Sequence, residues 1–238
     1  MKYLVFGLLI LALAYISACD SSDLECVRAS SNIVTVTRDH KDFRGVVFNE
    51  VGDVFLTQGP EYSVKLTGPD NVVDLTETIV DGEILIIGVD KCYNGDYDFK
   101  IEITAPEIQY VGLVGVGRIE TVGPLETDVI QFEVFGIGEV EAEIYADTLY
   151  TTVSGNVTFD YAGEVFYHEI SSTGVHEINA YPLETQNTSI TFSGRGENYV
   201  TAYENLKVKI IGIGDVYYLG NPVITSDISG TGQIIDSN

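Results

Sequence analysis

Basic residues are scarce: the chain of 238 residues carries 12 lysines and arginines against 36 aspartates and glutamates, a formal net charge of −24. Such a surface repels phosphate, which excludes nucleic acid as a partner. It suits an exported surface kept soluble by mutual repulsion. Tryptophan is absent, so the aromatic area rests on 15 tyrosines and 10 phenylalanines. Histidine occurs only at His40, His168 and His176, without metal-ligand spacing. Each reads as a core or loop residue, and no metal is expected. No Gly-x-Ser-x-Gly marks a serine nucleophile. Helical periodicity is missing too, which removes the dinucleotide reading of Gly115-Val-Gly117, because that fingerprint needs a helix opening after the glycines. No cofactor is expected.

Long hydrophobic runs are also lacking. The one apolar stretch, Leu4 to Ile16, falls short of the roughly 20 residues a spanning helix needs. It follows Met-Lys-Tyr and ends in Ser17-Ala18, the form of a secretory leader over residues 1–18. Ile16-Ser17-Ala18-Cys19 resembles the bacterial lipobox, which implies cleavage before Cys19 and lipidation of that cysteine. The acidic stretch that follows predicts a tether over residues 19–32, with a single domain over residues 33–238. That stretch is similar to the signals that carry some lipoproteins of the Bacteroidetes to the cell surface. The expected location is the cell envelope, as an outer-membrane lipoprotein facing the periplasm or the surface. Two cysteines remain, Cys26 and Cys92, and in an oxidising compartment they form a candidate disulfide.

What the chain does have is a repeat. Glycine pairs or their variants recur at Gly115-Val-Gly117, Gly136-Ile-Gly138, a shortened Gly155-Asn156, Gly174-Val-His176, Gly194-Arg-Gly196, Gly212-Ile-Gly214 and Gly230-Thr-Gly232. A period near 19 without helical pattern predicts an all-β fold, a right-handed parallel β-helix-like solenoid with less regular N-terminal strands. Alternation supports it. The positions two and four before each glycine are mostly apolar and point inward, His168 joins them six before Gly174, and the intervening positions face solvent. Ile119, Val140, Val157, Ile178, Val216 and Ile234 are expected to open the strand after each corner.

These repeats resemble a known family. Ile211-Gly-Ile-Gly-Asp-Val-Tyr-Tyr-Leu-Gly-Asn-Pro222 and Ile228-Ser-Gly-Thr-Gly-Gln-Ile234 are similar to the closing signature of the putative auto-transporter adhesin, head GIN domain family. Val54 to Gly59, Val80 to Ile86 and Ile101 to Pro106 extend the likeness to residues 43 to 236. The resemblance implies a β-helix-like fold on exported, often lipid-anchored proteins of the Bacteroidetes. Arg118, Asn156, His176 and Gln233 depart from the usual Gly-Ser-Gly-Asp pattern, which argues against a role needing an acid in every copy.

The acids Glu139, Glu177, Glu197 and Asp215 recur near the corners and read as solvated rather than as a calcium array, because calcium solenoids use a nine-residue repeat. Tyrosines such as Tyr217 and Tyr218 are expected to cover sheet edges. The leading expectation is a lipid-anchored binding, adhesion or structural module without catalysis, its partners being the membrane and a glycan or envelope protein. An enzyme acting on polysaccharide is the alternative, and a sensor or accessory protein of envelope signalling is the third. The candidate binding face is the outward column Tyr110, Gln131, Tyr150, Glu169, Ser189, Lys207 and Thr225.

Overall fold

The computed structural model describes residues 26–89, 91–94 and 97–238, so the leader, Cys19 and the first part of the tether lie outside the described residues. The chain is 71% strand and 3% helix, with a β-solenoid of about 7 turns of roughly 19 residues. Among the described residues no helix is long and apolar enough to cross a membrane.

Strands Ile137–Val153, Asn156–Ser172, Val175–Phe192 and Arg195–Ile210 each cover nearly a whole turn and stack in parallel. Alternation drives the coil. Phe132, Phe159, Ile170, Ile190 and Phe192 are fully buried while their sequence neighbours face solvent, so the winding chain encloses one continuous apolar core. Register corrects one expectation. The inward column after the corner runs Ile119, Val140, Phe159, Ile178, Asn198, Val216 and Ile234, with Phe159 rather than Val157 in it. Val157 instead occupies the place of the second glycine, beside Gly138 and His176. The copy at Gly155 is therefore full length, with valine where others have glycine.

The stack also begins earlier than the glycine copies indicate. Gly45–Asn49 and Val51–Gln58 form a complete turn, with Gly45 opposite Tyr110, Val51 opposite Val116 and Gly52 opposite Gly117. Glu50 stands where later copies have their first glycine, and residues 59–109 loop out before the next turn begins. That excursion seals the end of the coil. Ile84–Gly88 and Lys100–Ala105 stack beneath the first turn in parallel. Glu77–Asp81 and Ser63–Pro69 then pair with them antiparallel, Ile33–Arg38 joins Ser63–Pro69, and helix Asp70–Leu75 buries Val72 and Val73. Antiparallel strands end a parallel ladder without leaving its edge open.

Ordered structure starts before Ile33, against the expected tether boundary. Val27–Arg28 pairs with Tyr93–Asn94, and Cys26 is bridged to Cys92 with their Cα atoms 4.7 Å apart. The Ser30 amide donates to Asn71 Oδ1 at 3.0 Å and Asn32 Nδ2 donates to Asp70 at 2.8 Å. The polar residues read as a tether here serve as hydrogen-bonding partners of the helix start.

The first-glycine column explains the period. A Cβ on Gly136, Gly155, Gly194 or Gly212 would lie 1.8–1.9 Å from the carbonyl oxygen of the glycine one turn below. Close backbone approach, repeated at every turn, is what requires glycine there. The second column is as close at Gly117, Gly138, Gly214 and Gly232, where a Cβ would lie 1.7–1.9 Å from the glycine carbonyl oxygen one turn below, but it admits Val157 and His176 in the middle turns; at Gly214, with φ of 144°, positive φ adds to the requirement. The His176 ring fills the space over Gly196, where a Cβ would meet it at 2.0 Å.

Candidate functional site

The outward column expected as a binding face is assembled rung by rung. Tyr110 pairs with Gln131, Gln131 with Tyr150, Tyr150 with Glu169, Glu169 with Ser189, Ser189 with Lys207 and Lys207 with Thr225. Seven side chains thus stand in one line on a regular sheet. The two rings do not meet, because Gln131 separates them. Tyr110 is half-buried and donates its hydroxyl to Glu133, and burial together with that carboxylate pushes its phenol up. Tyr150 and Lys207 are exposed, and Tyr167 on a neighbouring column donates to Glu169 at 3.1 Å.

The corner acids share a second column. Arg118 lies opposite Glu139, Glu139 opposite Thr158, Thr158 opposite Glu177, and Glu177 opposite Glu197, with Asp215 following on the next turn. Its two ends differ in charge balance. Arg118 pairs with Glu120, Glu139 and Glu141, which offsets part of the negative charge of the early turns. Among the described residues no lysine or arginine pairs with Glu177, Glu197 or Asp215. Glu197 is raised above the usual carboxylate range, by burial first and then by Asp215 and Glu177, with Arg195 opposing them. No three His, Cys, Asp or Glu side chains converge as metal ligands among the described residues.

One column past these acids lie residues whose grouping was missed in the sequence. Glu141, Asp160, Asn179, Tyr199 and Tyr217 occupy successive turns. Tyr199 and Tyr217 stack with ring centroids 4.9 Å apart and planes 12° apart, and Tyr181 meets Tyr199 edge-on at 5.6 Å. Tyr217 is thus part of an aromatic row on the sheet face rather than an edge cover. The available signal was tyrosine five residues after Gly194 and Gly212 alike.

The histidines sit apart from both columns. His40 Nε2 is 2.8 Å from the Thr78 hydroxyl. His168 is wholly buried with Nε2 3.1 Å from Thr151 Oγ1, which explains a threonine in an apolar column. His176 Nε2 lies 3.2 Å from Asn198 Oδ1. Burial lowers His168 to about 3 and His176 to about 4. The unfolded chain takes up these protons near pH 6.5 while the folded core does not, so stability falls as pH drops through 6.5 toward those lower values. At pH 5 the loss is about 2 kcal/mol for His168. His168→Leu removes this linkage, so its stability relative to the parent should improve by about 2 kcal/mol between pH 7 and pH 5 in urea melts. A gap that stays constant with pH would place the imidazole in contact with water.

A putative adhesin from Bacteroides fragilis superposes with a TM-score of 0.85 at 25% identity, covering 88% of this chain and 99% of its own. A putative lipid binding protein from Parabacteroides distasonis superposes with a TM-score of 0.73 at 20% identity, covering 90% of this chain and 100% of its own. A putative adhesin from Parabacteroides merdae gives 0.63 at 19%, over 89% of this chain and 99% of its own. The last two establish the fold alone. No curated protein matches the chain. The family model matches residues 42–222, from the first complete turn to the end of the stacked tyrosines, and the chain belongs to the putative auto-transporter adhesin, head GIN domain family.

Proposed function

We propose that the protein is a non-catalytic binding module of the bacterial cell envelope, adhesin-like, held on the outer membrane by lipid on Cys19 and facing the periplasm or the surface. The observation that carries the reading is the unbroken register of the outward column from Tyr110 to Thr225. Seven rungs at about 4.8 Å present hydroxyls, an amide, a carboxylate, an ammonium and two rings along about 30 Å of rigid sheet. Such a line suits an extended ligand, a glycan or an envelope protein, because the backbone ladder has already set the spacing of its contacts. Disagreement among the carboxyls speaks against an enzyme. Glu50 and Glu197, the two acids raised by burial among the described residues, stand five turns apart, about 25 Å, whereas paired hydrolytic carboxylates work within about 10 Å.

Two experiments test this. A ligand found on a glycan and envelope-protein array should bind at least roughly tenfold more weakly to a folded Tyr110→Ala, Tyr150→Ala double variant, and undiminished affinity excludes this face. Cys19→Ala should lose both the fatty-acid label and membrane association in cells. Retention of both rules out the anchor.

A further inference from the structure

The turn from Gly174 to Gly194 is 20 residues long where the two that follow are 18, and the extra chain is put to use. Between Ala180 and Glu184 the register with the next turn slips, so Tyr181, Pro182 and Leu183 have no rung partner there. Leu183 returns to the core, while Tyr181 and Pro182 stand out from the sheet. Two buried threonines hold this bulge: Thr201 Oγ1 donates to the Tyr181 carbonyl at 2.8 Å, and Thr185 Oγ1 donates to the Thr201 carbonyl at 2.6 Å. Proline withholds a donor from a neighbouring strand, so the bulge stays open. Beneath it lies a groove of about 380 Å³ lined by Glu177, Asn179, Tyr181, Pro182 and Tyr199.

From this geometry we infer a second binding site, for a basic peptide segment whose lysine or arginine head group rests against the Tyr181 and Tyr199 rings beside the Glu177 carboxylate. It is separate from the Tyr110 column, on the strand segment after the corner rather than before it, and neither site depends on the other. Charge chooses the ligand. Aromatic rings with polar neighbours accept the apolar face of a neutral sugar as readily as a cation. Here Glu177, Glu197 and Asp215 occupy three successive turns without an ion pair among the described residues; Arg195 beside Glu197 offsets their mutual repulsion only in part. A neutral sugar leaves that repulsion in place. A guanidinium or ammonium relieves it, gains the ring faces, and is drawn in by a chain of net charge −24. The early turns carry their own answer to the same problem, since Arg118 occupies the acid column there and contacts three glutamates. A ligand's cation would do at the late turns what Arg118 does at the early ones.

The test is calorimetric titration of the full chain with an acetylated, amidated Gly-Arg-Gly-Arg-Gly-Arg peptide, its Gly-Ser analogue and a neutral glucan oligosaccharide. Binding of the arginine peptide alone is expected, weakening as sodium chloride rises from about 50 to about 300 mM. Tyr199→Ala and the Glu177→Gln, Glu197→Gln pair should each weaken it roughly tenfold or more, while Tyr199→Phe, which keeps the ring and the packing, binds like the parent. The Tyr110, Tyr150 double variant should bind it unchanged. An equal loss on removing the same charge at Glu126 and Glu204 would reduce the effect to diffuse attraction and overturn the site. So would no binding of the arginine peptide, or oligosaccharide binding that Tyr199→Ala abolishes.

Discussion

Gly194→Ala is expected to cost at least about 3 kcal/mol and to lower the melting temperature by about 6–12 °C, although it adds a single methyl group. The new Cβ would lie 1.8 Å from the Gly174 carbonyl oxygen and 2.7 Å from that of Thr173. Both obstacles are backbone, so no side chain can swing aside. Relief demands that two turns separate, which weakens ladder bonds such as Arg195 N to Gly174 O at 3.0 Å and Ser193 N to Ser172 O at 2.9 Å. Because Gly194 is not among the glycines of positive φ, the effect isolates close approach from torsional strain. Gly123→Ala is the converse control: φ is 86° there and a Cβ meets nothing within 4 Å, so a cost of only about 1 kcal/mol is expected. Equal losses in the two variants, read from thermal and urea melts, would remove the steric account of the period.

That same contact explains how much of the fold was legible. A steric requirement that recurs once per turn writes glycine into the chain at a fixed interval, and a reader can recover the turns, their register and the outward column by counting. Where another feature replaces that contact, counting stops. The first turn carries Glu50 in the glycine position and is parted from the second by the excursion over residues 59–109, so its membership in the coil is visible only through pairs such as Gly52 with Gly117. The loss of glycine at residue 157 hid the true length of that copy. The bulge had the same effect on the candidate site: Tyr199 and Tyr217, five residues after their glycines, are rung partners, whereas Tyr181, seven after its own, meets Tyr199 from the bulge between Ala180 and Glu184. Charge balance was hidden for a different reason, because the partners of Arg118 lie on its own and the next turn.

Removing the disulfide with Cys26→Ser and Cys92→Ser should destabilise the protein by about 4 kcal/mol, from the chain entropy of a loop closing over 66 residues. Where that loss falls matters more than its size. The bridged loop holds the antiparallel strands Ile33–Arg38, Ser63–Pro69 and Glu77–Asp81, the helix and the first complete turn, so it encloses nearly all of the cap. In a stack each turn contacts only its neighbours, and stability is a sum of local terms passed along the coil. The cap's own hold on residue 26 is slight: two paired residues, Val27 and Arg28, and a few hydrogen bonds to Asp70 and Asn71. Without the bridge the cap should open below the global transition, and amides of Val34 to Thr37 and Val64 to Thr67 should exchange faster by a large factor. Amides within Ile137–Val153 to Arg195–Ile210 should keep their protection, since their ladders do not involve the cap. Hydrogen exchange read segment by segment in the double variant decides it. Loss of protection spread evenly to Ile210 would mean that cap and coil unfold as one unit, and unchanged exchange in the cap would mean that packing alone, not the bridge, closes this end of the solenoid.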